Sequence, residues 1–196
     1  MVALLEREGV QFPTSWSRDG SVLAYHETNP ETLRDLWVLP VGGDPEPFLV
    51  TPFQERAAAF SPDGRWLAYV SDESGQDEVY VQPYPGPGRQ FTVSTAGGRE
   101  PVWSPDGSEL FYRTEDQLMV VAVEPGDTFR GDTPRLLFAD PYVRDPSAAV
   151  GAPNYDIMPD GQRFVMVSAN AQGTDEGPAV ILVTNWFDEL RERLGN

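Results

Sequence analysis

The 196-residue chain has no cysteine and one histidine, His26. Without thiols it can hold no disulfide scaffold, no thiol nucleophile and no Cys-based zinc or iron–sulfur site. A single imidazole excludes the usual multi-histidine metal centres and leaves little for acid–base chemistry near neutrality. Long apolar runs are also missing. The longest, Ala179-Val180-Ile181-Leu182-Val183, falls far short of the ~20 residues of a membrane helix. The start, Met1 to Glu8, shows neither the basic stretch nor the long apolar run of an export signal. Basic residues are scarce, 14 Lys+Arg against 31 Asp+Glu, for a net charge of −17. That balance opposes phosphate backbones and anionic bilayers, so no nucleic-acid partner and no membrane insertion by this chain are expected.

What is present points to a folded, turn-rich domain. Apolar residues make up 40% and aromatics 11%, enough for a core. Eighteen glycines and nineteen prolines are close to a fifth of the chain, against roughly 12% in an average protein. The sequence also repeats. Trp16-Ser17-Arg18-Asp19-Gly20 returns as Phe60-Ser61-Pro62-Asp63-Gly64, as Trp103-Ser104-Pro105-Asp106-Gly107, and in worn form as Ile157-Met158-Pro159-Asp160-Gly161. Successive Asp residues are 44, 43 and 54 positions apart.

Pro-Asp-Gly between apolar runs is turn chemistry: Pro presets φ, Asp hydrogen-bonds the following backbone, and Gly accepts positive φ. Asp19, Gly20, Asp63, Gly64, Asp106, Gly107, Asp160 and Gly161 are therefore read as structural turn residues. An aromatic-Ser segment enters the first three turns and Ile157-Met158 the fourth, and Leu23-Ala24-Tyr25, Leu67-Ala68-Tyr69, Leu110-Phe111-Tyr112 or Phe164-Val165-Met166 leaves it. A third apolar run follows in every copy and a fourth in three. Four short strands in about 43 residues are the signature of a propeller blade. The expected fold is an all-β propeller arc of four blade repeats, near 11–51, 55–95, 99–138 and 153–184. Residues 2–5 fall in fourth-strand register before the first blade, and an amphipathic helix is expected at 186–194. The fourth blade lacks its outer strand, which suggests a partial propeller with open ends, or ends paired with a second copy.

The stretch from Phe60 to Tyr69, Phe-Ser-Pro-Asp-Gly-Arg-Trp-Leu-Ala-Tyr, resembles the repeat of TolB-type, WD-like bacterial propellers. Ser71 to Gly75, Glu78 to Gly88 and the closing Asn185 to Leu190 resemble, more narrowly, the C-terminal propellers of bacterial eukaryotic-type Ser/Thr protein kinases. The resemblance implies a sensor-like, extracytoplasmic binding module. The kinase signatures themselves, a Gly-rich phosphate loop, His-Arg-Asp and Asp-Phe-Gly, do not occur in this sequence.

No nucleophile–base pair is legible, since His26 lies in a strand pattern and no Gly-x-Ser-x-Gly elbow accompanies it. The expectation is a non-enzymatic module without cofactor or metal, binding a protein or small ligand. Glycan- or lactone-cleaving propellers and the gating propeller of a peptidase are the competing class. The acid-rich run Asp72 to Glu78 does not match an EF-hand and reads as a solvated connection. Trp16 and Trp103 share a repeat position with Phe60 and Ile157, which marks packing between blades; Trp37 and Trp66 lie outside it and are better candidates for exposure. The insertion before the fourth copy, with Asp145, Pro146, Ser147, Val150 and Pro153, is the expected contact loop, because binding residues concentrate on loops held by a rigid scaffold.

Overall fold

A computed structural model describes residues 4–139, 153–168 and 179–183. They form four antiparallel sheets, each built from consecutive strands, and none of the described residues is helical. The first sheet comprises β1 (Gln11–Trp16), β2 (Val22–Asn29), β3 (Leu33–Pro40) and β4 (Glu46–Leu49). The second has β5 (Glu55–Phe60), β6 (Trp66–Ser71), β7 (Glu78–Pro83) and β8 (Phe91–Thr92). β9 (Arg99–Trp103), β10 (Glu109–Arg113), β11 (Gln117–Ala122) and β12 (Arg135–Ala139) make the third. The fourth contains β13 (Tyr155–Ile157), β14 (Phe164–Ser168) and β15 (Ala179–Val183). This is a propeller arc of four blades.

The blades are held by apolar faces that the repeat places in register. Phe60, Leu67, Tyr69 and Tyr80 of the second blade meet Ala24, Leu36 and Val38 of the first. Trp103, Leu110, Tyr112 and Val121 of the third meet Trp66, Ala68, Val70 and Val81 of the second. Ile157, Phe164 and Met166 of the fourth pack with Phe111, Leu118 and Val120 of the third. Phe60 and Trp103 are each 7% exposed; truncating either to alanine costs roughly 3–5 kcal/mol.

Trp103 packs between blades as expected, Trp37 is half-buried rather than exposed, and Trp66 and Trp16 reverse their expected places. Trp66 is buried, edge-on to Phe91 and Phe129. Phe129 comes from the connection after β11, a long-range partner with no trace in the repeat. Trp16 is 47% exposed. It occupies the position that packs onto the preceding blade in the other three copies, and the first blade has no preceding blade among the described residues.

The expected helix at 186–194 and Val2 and Ala3 lie outside the described residues. Leu4 and Leu5 are described and are not in a strand, and Leu4 is 61% exposed. No helix among the described residues is long and apolar enough to cross a membrane.

Candidate functional site

The two ends of the arc differ in how well their polar groups are satisfied. At one end lie the four Asp-Gly turns. In the first three, the Ser hydroxyl donates to the Asp carboxylate, at 2.7, 2.6 and 2.7 Å for Ser17–Asp19, Ser61–Asp63 and Ser104–Asp106. The same hydroxyl accepts the backbone N–H five residues on, from Val22, Trp66 and Glu109. The Asp Oδ1 accepts the N–H two residues on in all four copies. Gly20, Gly64, Gly107 and Gly161 have φ between 67° and 76° and donate back to the residue that opens each turn. In the fourth copy Met158 replaces Ser, and Arg163 Nε donates to Asp160 Oδ2 at 2.7 Å instead.

These bonds hold the carboxylates ionised. The Ser17 hydroxyl and the Ser21 N–H lower Asp19 to about 2. Asp106 is lowered by the N–H of Ser108 and the hydroxyls of Ser104 and Ser108. Asp160 is lowered by the Gln162 N–H and Arg163. At Asp63 partial burial opposes ionisation, but the Ser61 hydroxyl and Arg65 outweigh it. The turns also touch each other: Gly107 lies against Pro62 and Gly161 against Pro105, while Arg18 reaches the Pro105 carbonyl at 3.5 Å. The Ser hydroxyls and the Asp Oδ1 atoms all serve their own turns, so this end reads as architecture.

The opposite end is built differently. Here the innermost strand of each blade begins, and a bulge recurs. Ala57 and Ala58 together face Tyr69, Glu100 and Pro101 together face Tyr112, and Thr14 is the extra residue opposite the step from Ala24 to Tyr25. Ala57 and Glu100 have φ of 52° and 55°, six residues before their turn Asp. Such left-handed non-glycine residues cost about 1–3 kcal/mol each and concentrate where a strand must re-aim its side chains.

Charged groups converge beside these bulges. Arg56 and Arg99 stand at the same repeat position and both bind Asp77 Oδ2, at 2.5 and 2.6 Å. Arg56 is buried, Arg99 largely exposed. Glu100 Oε2 accepts from Arg113 Nη1 at 3.4 Å and from the Asn154 N–H at 2.9 Å, and its carbonyl accepts the Tyr155 hydroxyl. Glu78, buried, accepts from Ser94 and from the Gly97 N–H. The run Asp72 to Glu78 is exposed over residues 73–76, as expected of a solvated connection, but Asp72, Asp77 and Glu78 at its ends anchor the starts of neighbouring strands.

Several buried groups here remain without a hydrogen-bond partner. They include both nitrogens of His26, which is fully buried and stacked on Phe12 at 4.8 Å, as well as Glu55 Oε2 and Asp35 Oδ1. Burial, then Arg34 and Arg56, push His26 down to about 4. Burial pushes Glu55 up to about 7 against the Thr51 hydroxyl, and Asp35 and Asp72 add to the rise. Among the described residues no three metal-ligating side chains group together. Of the expected contact loop, Asp145, Pro146, Ser147 and Val150 lie outside the described residues; Pro153 is half-buried just before β13. Sequence reading missed Arg56 and Arg99, although both stand seven residues before a turn Asp.

No family model and no curated protein matches the chain. Solved structures do. A protein named as a TolB from Agrobacterium tumefaciens is 15% identical, with a TM-score of 0.63 over 90% of this chain and 59% of its own. TolB from Acinetobacter baumannii is 14% identical, with a TM-score of 0.60 over 88% of this chain and 42% of its own. An oligogalacturonate lyase in complex with manganese is 16% identical, with a TM-score of 0.60 over 92% of this chain and 66% of its own. The fold is therefore that of TolB-like propellers. The chain spans about half the length of the TolB structures it matches.

These matches also correct one expectation. Against the expectation of a non-enzymatic module, enzymes are among the propellers that share its fold, the lyase included.

Proposed function

We propose that the chain is a binding propeller that engages a polar ligand or a protein segment with the bulged end of its arc, as a sensor-like module. The observation that carries this reading is the repeated left-handed bulge, at Ala57 and Glu100, beside buried polar groups without partners. The turn end spends its Ser hydroxyls and Asp Oδ1 atoms on itself; the bulged end holds strain and buried polar groups without partners. The likeness of residues 71–75, 78–88 and 185–190 to receptor-kinase propellers supports a sensing role. The net charge of −17 favours partners with basic character around the site.

Peptides selected from a random display library against the immobilised chain test it. Binding is expected to fall at least tenfold in Arg99→Glu and to survive Asp106→Asn. Selected peptides that lose binding only in Asp106→Asn would overturn the assignment of the face.

A second partner reading rests on Trp16. Its three counterparts are 7–8% exposed, against 47% for Trp16. A second copy, docking a blade against this face, buries the indole. Sedimentation equilibrium is expected to show a dimer that Trp16→Asp dissociates; a monomer at all concentrations up to 200 µM (roughly 5 kcal/mol of association free energy) contradicts it.

A further inference from the structure

At the bulged end, between the first two blades, an open cleft of about 540 Å³ is lined by Glu8, Val10, Thr28, Leu33, Arg34 and Gln54, with Gly9, Asn29 and Pro30 completing the wall. That volume lies within the usual range of small-molecule sites, which are mostly apolar with a few converging polar groups. Val10, Pro30 and Leu33 supply the apolar part, and Val10 and Leu33 are exposed. Gly9 is needed for the close approach of the wall, because a Cβ there would come within 2.8 Å of the Thr28 carbonyl.

Arg34 is the polar centre of the cleft. It is half-buried, and its hydrogen bond runs from Nη1 to Gln54 Oε1 at 3.1 Å. It forms no ion pair among the described residues, unlike Arg56, Arg99 and Arg113 on the same face. Gln54 explains why. Its backbone N–H and Nε2 both donate to Asp72, at 2.9 and 3.0 Å, while its Oε1 faces Arg34. The neutral amide engages the nearby carboxylate and keeps it off the guanidinium. The remaining N–H donors of Arg34 form a fork whose natural complement is a carboxylate. Deeper on the same face of β2, two residues from Thr28, lies the buried His26 with neither nitrogen bonded.

We infer that this cleft binds a small apolar monocarboxylate, its carboxylate on the Arg34 fork and its alkyl part on Val10, Pro30 and Leu33. The site is distinct from the Arg56–Asp77–Arg99 mouth, whose Arg56 and Asp77 act on Arg34 only through space. His26, the sole histidine, reports on occupancy. Burial, Arg34 and Arg56 hold its pKa down, so an anion on Arg34 raises it. Charged groups near this region include Asp72 and Asp77, which act on Arg34 in the sense opposite to Arg56, Glu8 on the rim, Glu27 behind Gly9, and Asp35 with Glu55 across the blade interface.

The probe is 4-methylvalerate, with 4-methylvaleramide as its neutral isostere, followed by amide and imidazole NMR. Saturable shifts confined to residues 8–10, 26, 28–34 and 54 are expected, with a Kd of about 1 mM for a ligand of this size. The amide and Arg34→Gln each weaken binding at least tenfold, Arg34→Lys weakens it less, and the His26 pKa rises in the bound state. Equal binding of acid and amide, shifts elsewhere, or no saturation by 50 mM (about 1.8 kcal/mol of binding free energy) overturns the inference. The neutral isostere needs no variant, so a misfolded Arg34 substitution leaves the test intact.

Discussion

Asp77 offers a sharp test of the bulged end, because one carboxylate oxygen holds two arginines at almost equal distance in unequal surroundings. Arg56 is 7% exposed and belongs to the second blade; Arg99 is 61% exposed and opens the third; Asp77 itself is 13% exposed. Removing one partner of a buried pair leaves an uncompensated charge out of water and costs about 3–5 kcal/mol. An exposed pair is worth roughly 0.2–1 kcal/mol. Asp77→Ala is therefore expected to lose about 3–5 kcal/mol, nearly all through Arg56, and Arg99→Ala no more than about 1 kcal/mol. For a chain of this length 1 kcal/mol moves Tm by roughly 2–4 °C, so Asp77→Ala lowers it by about 6–20 °C and Arg99→Ala by at most about 4 °C. Urea unfolding with double-mutant cycles separates the pairs: the Arg56–Asp77 coupling should exceed the Arg99–Asp77 coupling at least twofold. Equal couplings would show that burial does not set the strength of this network.

Two further outcomes concern pH and the turns. Glu55, raised to about 7, favours the folded state below its unfolded value near 4.5 and loses that contribution as pH rises through 7. His26, lowered to about 4, acts in the opposite sense, its contribution present above 6.5 and lost as pH falls towards 4. Between pH 4.5 and 6.5 the two slopes cancel; in Glu55→Gln stability should climb with pH across that window by up to about 3 kcal/mol, and a flat calorimetric Tm profile in that variant would contradict the assignment. Asp106→Ala removes an acceptor of three bonds, from Ser104, the Ser108 N–H and the Ser108 hydroxyl; because the turn is exposed and water replaces part of the loss, about 1–2 kcal/mol of destabilisation is expected in denaturant titrations.

The repeat made the blades legible because turn chemistry is local: Ser, Asp and Gly within five residues satisfy one another without help from the rest of the chain. What depended on distant partners was not legible. Trp66 is buried by Phe91 and Phe129, 25 and 63 residues away in sequence. Trp16 carries the packing residue of its repeat but has no described blade to pack on. Asp77 reads as one acid in a polar run until Arg56 and Arg99 are seen to converge on it. The bulges leave almost no mark either: Ala57 sits in an Ala-Ala-Ala run, and nothing in that composition signals a positive φ.

Hydrogen exchange of the chain with and without a display-selected peptide tests the binding face most directly. Protection is predicted over residues 54–58, 72–78 and 98–101, where the innermost strands begin and their bulges lie. Protection centred on the Asp-Gly turns, at 17–21, 61–65 and 104–108, would contradict the account.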